Sequence, residues 1–479
     1  MIRTFIRDTA IYTIPTILST GISFFLIPLY TRVLSPADYG ALDMMTVFGS
    51  IVALIMALEI SQGVARFYYE EQTENQRSLL ASTALWFTVI SLTLFLIVAL
   101  ILAQKLSLLV LGVPDLENVF RLGSINIWLN SLLYLLRNQL RWELRSRTYS
   151  IVNIFHSIAT ATASVLFTYV FHFGIYGLLS GMIFGTIAGS LLGLWYLRKT
   201  FKLCFDISKL KKMLAFSIPL VPSGIAVFIS MYIDRLMINY YLSLEEVGLY
   251  GIGFRLAGIS TLALVGFQIA LTPLVYKHYK DPETPHQLEM IFRFFLAIIL
   301  MMFLILTLFA NVVLWILTTP SYYPAKDLVP FLVPAILLSQ MYIFAPGIGI
   351  MKKTHLLIWI NIGGACLNAL FNWLLIPSLG YVGAAIATML GYACVFGAYM
   401  LCSQKLYYVP HNWKAITYAV LTAVILVALG LHINLGLVED LMIRSLLIIM
   451  MLVALILSGI LKKKELLSGV HMLLRVRDV

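Results

Sequence analysis

The chain runs to 479 residues, of which 61% are hydrophobic and only 11% charged, with a mean hydropathy of +0.94. Soluble domains are roughly 45–50% apolar and about 25% charged, so a water-soluble enzyme is excluded and lipid is the expected solvent. The balance of 33 basic to 22 acidic residues, net +11, would suggest nucleic acid in a soluble chain; beside apolar spans it reports topology and anionic lipid, and no nucleic-acid partner is expected.

This composition supplies apolar material for on the order of fourteen helices of roughly 21 residues, an all-α integral membrane fold. In chain order the spans fall near 11–31, 41–63, 80–103, 119–137, 151–171, 174–197, 215–240, 247–274, 291–317, 328–349, 355–376, 380–402, 413–433 and 441–461. Arg3 and Arg7 precede a first span too long for the core of a cleaved leader, which reads as a retained signal anchor. With the N-terminus cytoplasmic, 26 basic residues flank the spans on that side and 4 on the other (Arg32, Lys105, Lys326 and Arg444). That asymmetry predicts an even number of spans with both termini inside. Cys204, Cys366, Cys394 and Cys402 lie in apolar spans or cytoplasm-side segments, so no disulfide is expected.

The chain repeats itself. Ile14-Pro15 recurs as Ile218-Pro219, an offset of 204; Ser35-Pro-Ala-Asp-Tyr-Gly40 recurs as Ser243-Leu-Glu-Glu-Val-Gly248, an offset of 208; Gly174-Ile-Tyr-Gly177 recurs as Gly380-Tyr-Val-Gly383, an offset of 206. Three landmarks in one order predict two six-helix lobes, 1–205 and 206–402, followed by a helix pair with a basic tail over 403–479. Duplicated lobes are a recurrent transporter device, with substrate held between them near the midplane. Chance recurrence of turn residues is the alternative.

Leu34-Ser-Pro-Ala-Asp-Tyr-Gly40 and Gly63-Val-Ala-Arg-Phe-Tyr68 resemble motifs of the polysaccharide biosynthesis flippases, the Wzx-type branch of the multidrug/oligosaccharidyl-lipid/polysaccharide exporter superfamily. So do Asp234-Arg235, Gly248-Leu-Tyr-Gly-Ile-Gly-Phe-Arg255 and Leu271-Thr-Pro-Leu274. The resemblance implies a bacterial inner-membrane protein that moves an undecaprenyl-pyrophosphate-linked oligosaccharide to the periplasmic leaflet, for O-antigen, capsule or exopolysaccharide. Its implied partners are that lipid, membrane lipid, and the polymerase and chain-length proteins of the pathway. A cation-coupled multidrug antiporter of the same superfamily is the competing reading, and it would line its cavity with acids, of which only Asp43, Glu59 and Asp234 qualify. No large external loop and no G-x-x-x-x-G-K-S/T phosphate loop is present, so neither a membrane enzyme nor ATP hydrolysis is expected, and no cofactor.

A multiply anionic headgroup crossing the bilayer needs cations at depth, and ionisable residues inside spans are default candidates. Arg255 lies nine residues into its span, roughly 13 Å of rise, and can offer phosphate a fork of donors; the alternative is an ion pair with Asp234, at similar depth. Arg235, which adjoins Asp234 in the preceding span, is a second candidate for binding the headgroup, and either arginine could instead neutralise Asp234. Arg66 follows Glu59 by seven residues on one helical face and could receive cargo at the cytoplasmic mouth, or simply set topology. Arg121 could guide release or anchor at the interface, while Arg32 and Asp43 could pair across a turn. For the coupling ion, the lipid II flippase branch implies sodium held here by Asp234, Asn368, Asn372, the Ala384 carbonyl and Thr388. Asn372 replaces an acid of that branch, and polar helix packing is the alternative for this set. A proton on Asp234 or Glu59 is the second coupling. Gly177, Gly181, Gly185, Gly189 and Gly193 recur every fourth residue, a stripe for close helix approach.

Overall fold

The computed structural model describes residues 24–261, 278–353, 355–433 and 436–462, with Leu18, Gly21, Ile22, Leu271 and Val275, and these are helical with no strand among them. Eleven described helical stretches are long and apolar enough to cross a bilayer, one of them the 52-residue run His355–Leu406. Most of the first predicted span and the later half of the eighth lie outside the described residues. Contacts group the chain into two compact units, Met1–Gly251 with Leu317–Tyr322, and Ile252–Ile316 with Tyr323–Val479.

In the first unit, α1 (Pro36–Ala57) starts where Ser35 accepts the Asp38 N–H at 3.2 Å and the Asp38 carboxylate accepts the Ser35 N–H at 2.9 Å. Pro36 is preorganised for the first helical position. The predicted continuous second span is broken: Leu58 and Glu59 sit at φ 47° and 53°, and α2 (Ile60–Phe67) continues in a new direction. Two successive left-handed residues, neither glycine, store roughly 1–2 kcal/mol each. α2 is held against α8 (Ile207–Ser217), where Gly63 meets the Met213 backbone and Glu70 and Glu71 pair with Lys212 and Lys209. The hydrogen bond from Lys212, assisted by Arg66, lowers the pKa of the Glu70 carboxyl.

Between these lie α3 (Glu74–Ile101), the short α4 (Ala103–Leu111), α5 (Glu117–Trp142), α6 (Ser146–Val165, continued by a wider turn over Leu166–Val170) and α7 (Gly174–Tyr196). The glycine stripe of α7 does what its spacing predicts. Gly181, Gly185 and Gly189 lie against Ser164, Thr160 and His156 of α6, and Gly193 against Leu136 of α5. α9 (Val221–Tyr241) follows a 3-10 turn at Ile218–Leu220, and α10 (Leu244–Gly258) opens with Ser243 accepting the Glu245 N–H at 3.1 Å. Both copies of the repeated Ser-…-Gly motif are therefore helix starts built on the same serine chemistry.

The second unit holds α11 (Thr284–Leu308), α12 (Ala310–Leu317, ending in the first unit's segment), α13 (Val329–Gln340), α14 (Gly347–Ile350), α15 (His355–Leu406), α16 (Trp413–His432) and α17 (Leu437–Leu457). α15 is two helices joined at Gly380, which has φ 61° and ψ −147°. Its repeat counterpart Gly174 has φ 56°, and a Cβ on Gly383 or Gly177 would strike the backbone of the preceding helix in each copy. The third landmark is thus the same tight helical hairpin, made twice. Two buried arginines tie α11 to α17: Arg293 pairs with Glu289 at 2.7 Å and donates to the carbonyls of Gly459 and Ile460, while Arg444 pairs with Asp440 at 2.8 Å and donates to Leu308 O. Each satisfies carbonyls left over at the end of the other helix.

His411, in the connection from α15 to α16, is 8% exposed among Phe292 and Trp413, and neither ring nitrogen has a partner. Burial pushes its pKa down to about 4. The folded state then binds fewer protons than the unfolded state between that value and about 6.5, so this residue's contribution is full above pH 6.5 and is lost as pH falls towards 4. The expected loss is about 3 kcal/mol, read as a falling unfolding midpoint in detergent over that window. His411→Phe should flatten the slope; an unchanged slope would show that other groups set it.

Candidate functional site

The site is built where α1, α9 and the first half of α10, Leu244 to Gly251, meet within the first unit. α1 and α10 cross at their N-termini in reciprocal contact: a Cβ on Gly40 would overlap the Leu244 carbonyl, and one on Gly248 would overlap the Pro36 carbonyl. Leu244 is the repeat counterpart of Pro36, and Gly248 that of Gly40, at the same offset of 208. Asp43 and Gly251, a third pair at that offset, also touch. The two copies of one motif therefore pack on each other, in the register of the repeat. Tyr322 closes over the same end, donating to Leu34 O at 2.8 Å and stacking edge-on with Tyr39.

One layer deeper lies a buried charge cluster. Asp43 is seven residues into α1, Arg235 six from the end of α9 and Tyr250 six into α10, so all three reach a depth of about 9–10 Å. Arg235, 8% exposed, has its Nε 3.7 Å from Asp43 Oδ2 and its Nη1 3.4 Å from Asp234 Oδ1. Asp234 also accepts the Arg235 backbone N–H at 2.8 Å and the Tyr250 hydroxyl at 2.5 Å. The rings of Tyr232 and Tyr250 flank the guanidinium, with centroids 5.9 and 5.4 Å away. Such an arrangement satisfies a desolvated cation with two anions and two π faces.

The geometry corrects one pairing and one shared helical face expected from sequence. Asp43 faces Arg235, whereas Arg32 is exposed at the end of the preceding helix; Arg66 bonds to Glu70 at 2.5 Å, one turn onward, and not to Glu59. The break after α1 is the reason for the second, since it removes the seven-residue register between Glu59 and Arg66. Glu59 sits at the broken joint, half-buried. Arg121 pairs with Glu117 at 2.5 Å on an exposed face. Arg255 is an exposed residue in the last turn of α10, counted with the second unit. Tyr232 and Tyr250 escaped the sequence reading; Tyr250, inside the Gly248–Arg255 motif beside the glycine that touches Asp43, carried the available signal.

In the second unit, Asn368 and Asn372 lie together, with Asn372 Nδ2 donating to Asn368 Oδ1 at 2.8 Å. The halves of α15 face each other, Gly364 against Val395 and Gly391 against Asn368, which sets Asn372 level with the turn holding Ala384 and Thr388. All four are buried, and Asn372 Oδ1 has no hydrogen-bond partner. A buried carbonyl oxygen without a donor suits a hard cation. Asp234, the fifth member of the expected set, belongs to the first unit. No group of three or more His, Cys, Asp or Glu able to hold a metal occurs among the described residues.

Comparison with known proteins bears on this geometry. The family model for polysaccharide biosynthesis protein matches residues 5–278, more than half of the chain, which therefore belongs to that family. A succinoglycan biosynthesis transport protein of Rhizobium meliloti is 25% identical over 50% of this chain and 47% of its own. Among solved structures, the lipid II flippase MurJ in an inward closed conformation superposes with a TM-score of 0.69 at 14% identity, over 92% of this chain and 97% of that one. An inward-facing multidrug resistance MATE family transporter gives 0.64 at 16%, over 83% and 97%. The fold is that of these two transporters.

Proposed function

We propose that this protein is a flippase, not an enzyme, which carries an undecaprenyl-pyrophosphate-linked oligosaccharide from the cytoplasmic to the periplasmic leaflet of a bacterial inner membrane. Membership of the polysaccharide biosynthesis family over residues 5–278 carries this reading over a multidrug antiporter. Two lobes, 1–205 and 206–402, would alternate access, with 403–479 as an accessory pair, both termini cytoplasmic, and the Gly40–Gly248 crossing facing the periplasm.

Arg255, exposed in the last turn of α10 and inside the Gly248–Arg255 motif, is the residue we assign to the pyrophosphate, whose paired oxygens match a guanidinium fork. Arg66 and Glu59 would stand at the cytoplasmic mouth and Arg121 at the exit. Arg255→Ala should abolish export of surface polysaccharide, measured on whole cells, while the protein still accumulates in the membrane; normal export would remove Arg255 from the site. Efflux of cationic drugs by reconstituted protein, without glycolipid flipping, would favour the antiporter.

For coupling, we propose sodium at Asn368, Asn372, the Ala384 carbonyl and Thr388, supported by the unpartnered Asn372 oxygen, with Asp234 as the acid that the resemblance to the lipid II flippase branch implies. A proton carried by Asp234 or Glu59 is the second reading. Asp234→Asn should remove any sodium dependence of flipping in vesicles, and an unchanged dependence would discard the set.

A further inference from the structure

The packed layer of α5, α6 and α7 contains a cation that export does not use. Arg137, five residues from the end of α5, has its Nε and Nη2 buried without a hydrogen-bond partner, and no described ion pair includes it. These two nitrogens form one edge of the guanidinium, where two N–H bonds point the same way and match two oxygens of a single oxyanion.

Nothing in the three helices neutralises this charge. From Glu117 to Tyr196 the helical residues of α5, α6 and α7 hold one carboxylate, Glu117 itself, twenty residues or roughly 30 Å along α5 from Arg137 and paired with Arg121. Glu143, just past the end of α5, projects from another face and is taken by Gln139, Arg145 and Thr200. Arg137 interacts electrostatically with Tyr149 and His156 of α6, neither of which supplies a negative charge at neutral pH.

Polar groups on the neighbouring α6–α7 seam are unsatisfied as well. Gly189 of α7 lies against His156, and Gly193 against Leu136, the neighbour of Arg137. Ser190 falls between those two glycines, is 4% exposed, and its hydroxyl has no partner. The Thr160 and Thr168 hydroxyls along the same α6–α7 seam are likewise without partners. A desolvated guanidinium edge with no carboxylate in reach among the described residues is best satisfied by an anion from outside the chain.

We propose that Arg137, with Ser190, forms a binding site for a phosphate-type oxyanion inside the α5–α6–α7 layer, independent of the export reading. The anion is the phosphate of a lipid headgroup or free phosphate; either presents paired oxygens to the Nε–Nη2 edge.

The test uses the full chain purified in detergent, with thermal unfolding followed in two arms. Inorganic phosphate is titrated against chloride at constant ionic strength, and mixed micelles of phosphatidylglycerol are compared with diacylglycerol. Stabilisation in the first arm alone identifies free phosphate, and stabilisation in the second identifies the headgroup. Arg137→Leu should abolish the shift. Arg137→Lys, which keeps the charge but loses the paired edge, should weaken the apparent affinity about tenfold or more, and Ser190→Ala by a few-fold. Should Arg137→Leu fail to accumulate, the other two variants carry the test. No stabilisation of wild type in either arm, or an equal shift in the variants, overturns the proposal and leaves Arg137 to water.

Discussion

Arg235→Ala is expected to lower the unfolding free energy by about 3–5 kcal/mol, because it strands two carboxylates that the native packing has already desolvated. Asp234 and Asp43 are both close to the lost guanidinium, and Tyr250 keeps its hydrogen bond to Asp234 either way. Denaturant titration in detergent reads this loss. A second variant separates charge from shape: replacing Asp43, Asp234 and Arg235 together by leucine should recover most of the stability, since a buried ionic cluster is often exchangeable for apolar packing. That triple variant should still fail in export if the cluster also serves coupling. A loss below about 1 kcal/mol for Arg235→Ala would mean that the guanidinium is hydrated and the cluster open.

Gly40→Val should be nearly as damaging to export while costing about 1–3 kcal/mol of stability through overpacking. Any side chain there strikes the Leu244 carbonyl, and no rotamer moves backbone. Because the contact is reciprocal, Gly248→Val should reproduce the phenotype against the Pro36 carbonyl. Gly363→Ala, where an added Cβ meets nothing, is the matched control and should export normally. Wild-type export from Gly40→Val would show that this end need not close for transport.

Much of the architecture was legible because lipid imposes length. An apolar run near 20 residues has few alternatives to a spanning helix, so α1, α3, α5, α6, α7 and α9 lie close to their expected positions. The repeat was legible for a related reason: its landmarks are helix starts and tight hairpins, where Ser35, Ser243, Gly174 and Gly380 do local chemistry that leaves a local signature. Pairings across helices leave none. Asp43 and Arg235 are 192 residues apart, and only folding shows that they meet. The joint at Leu58–Glu59 was invisible because no proline or glycine marks it; packing of α2 on α8 overrides the local preference. Arg137 read as a topology marker near the cytoplasmic end of its span, and only its missing partner distinguishes it.

That joint has a mechanical consequence. A leucine and a glutamate kept left-handed act as a cocked spring, wound by the grip of Lys209, Lys212 and Met213 on the far segment. Whenever that grip loosens, the rod would relax towards straight, releasing roughly 2–4 kcal/mol over the two residues and sweeping Arg66 through an arc. The salt bridges of Lys209 with Glu71 and Lys212 with Glu70 thereby serve as a trigger catch.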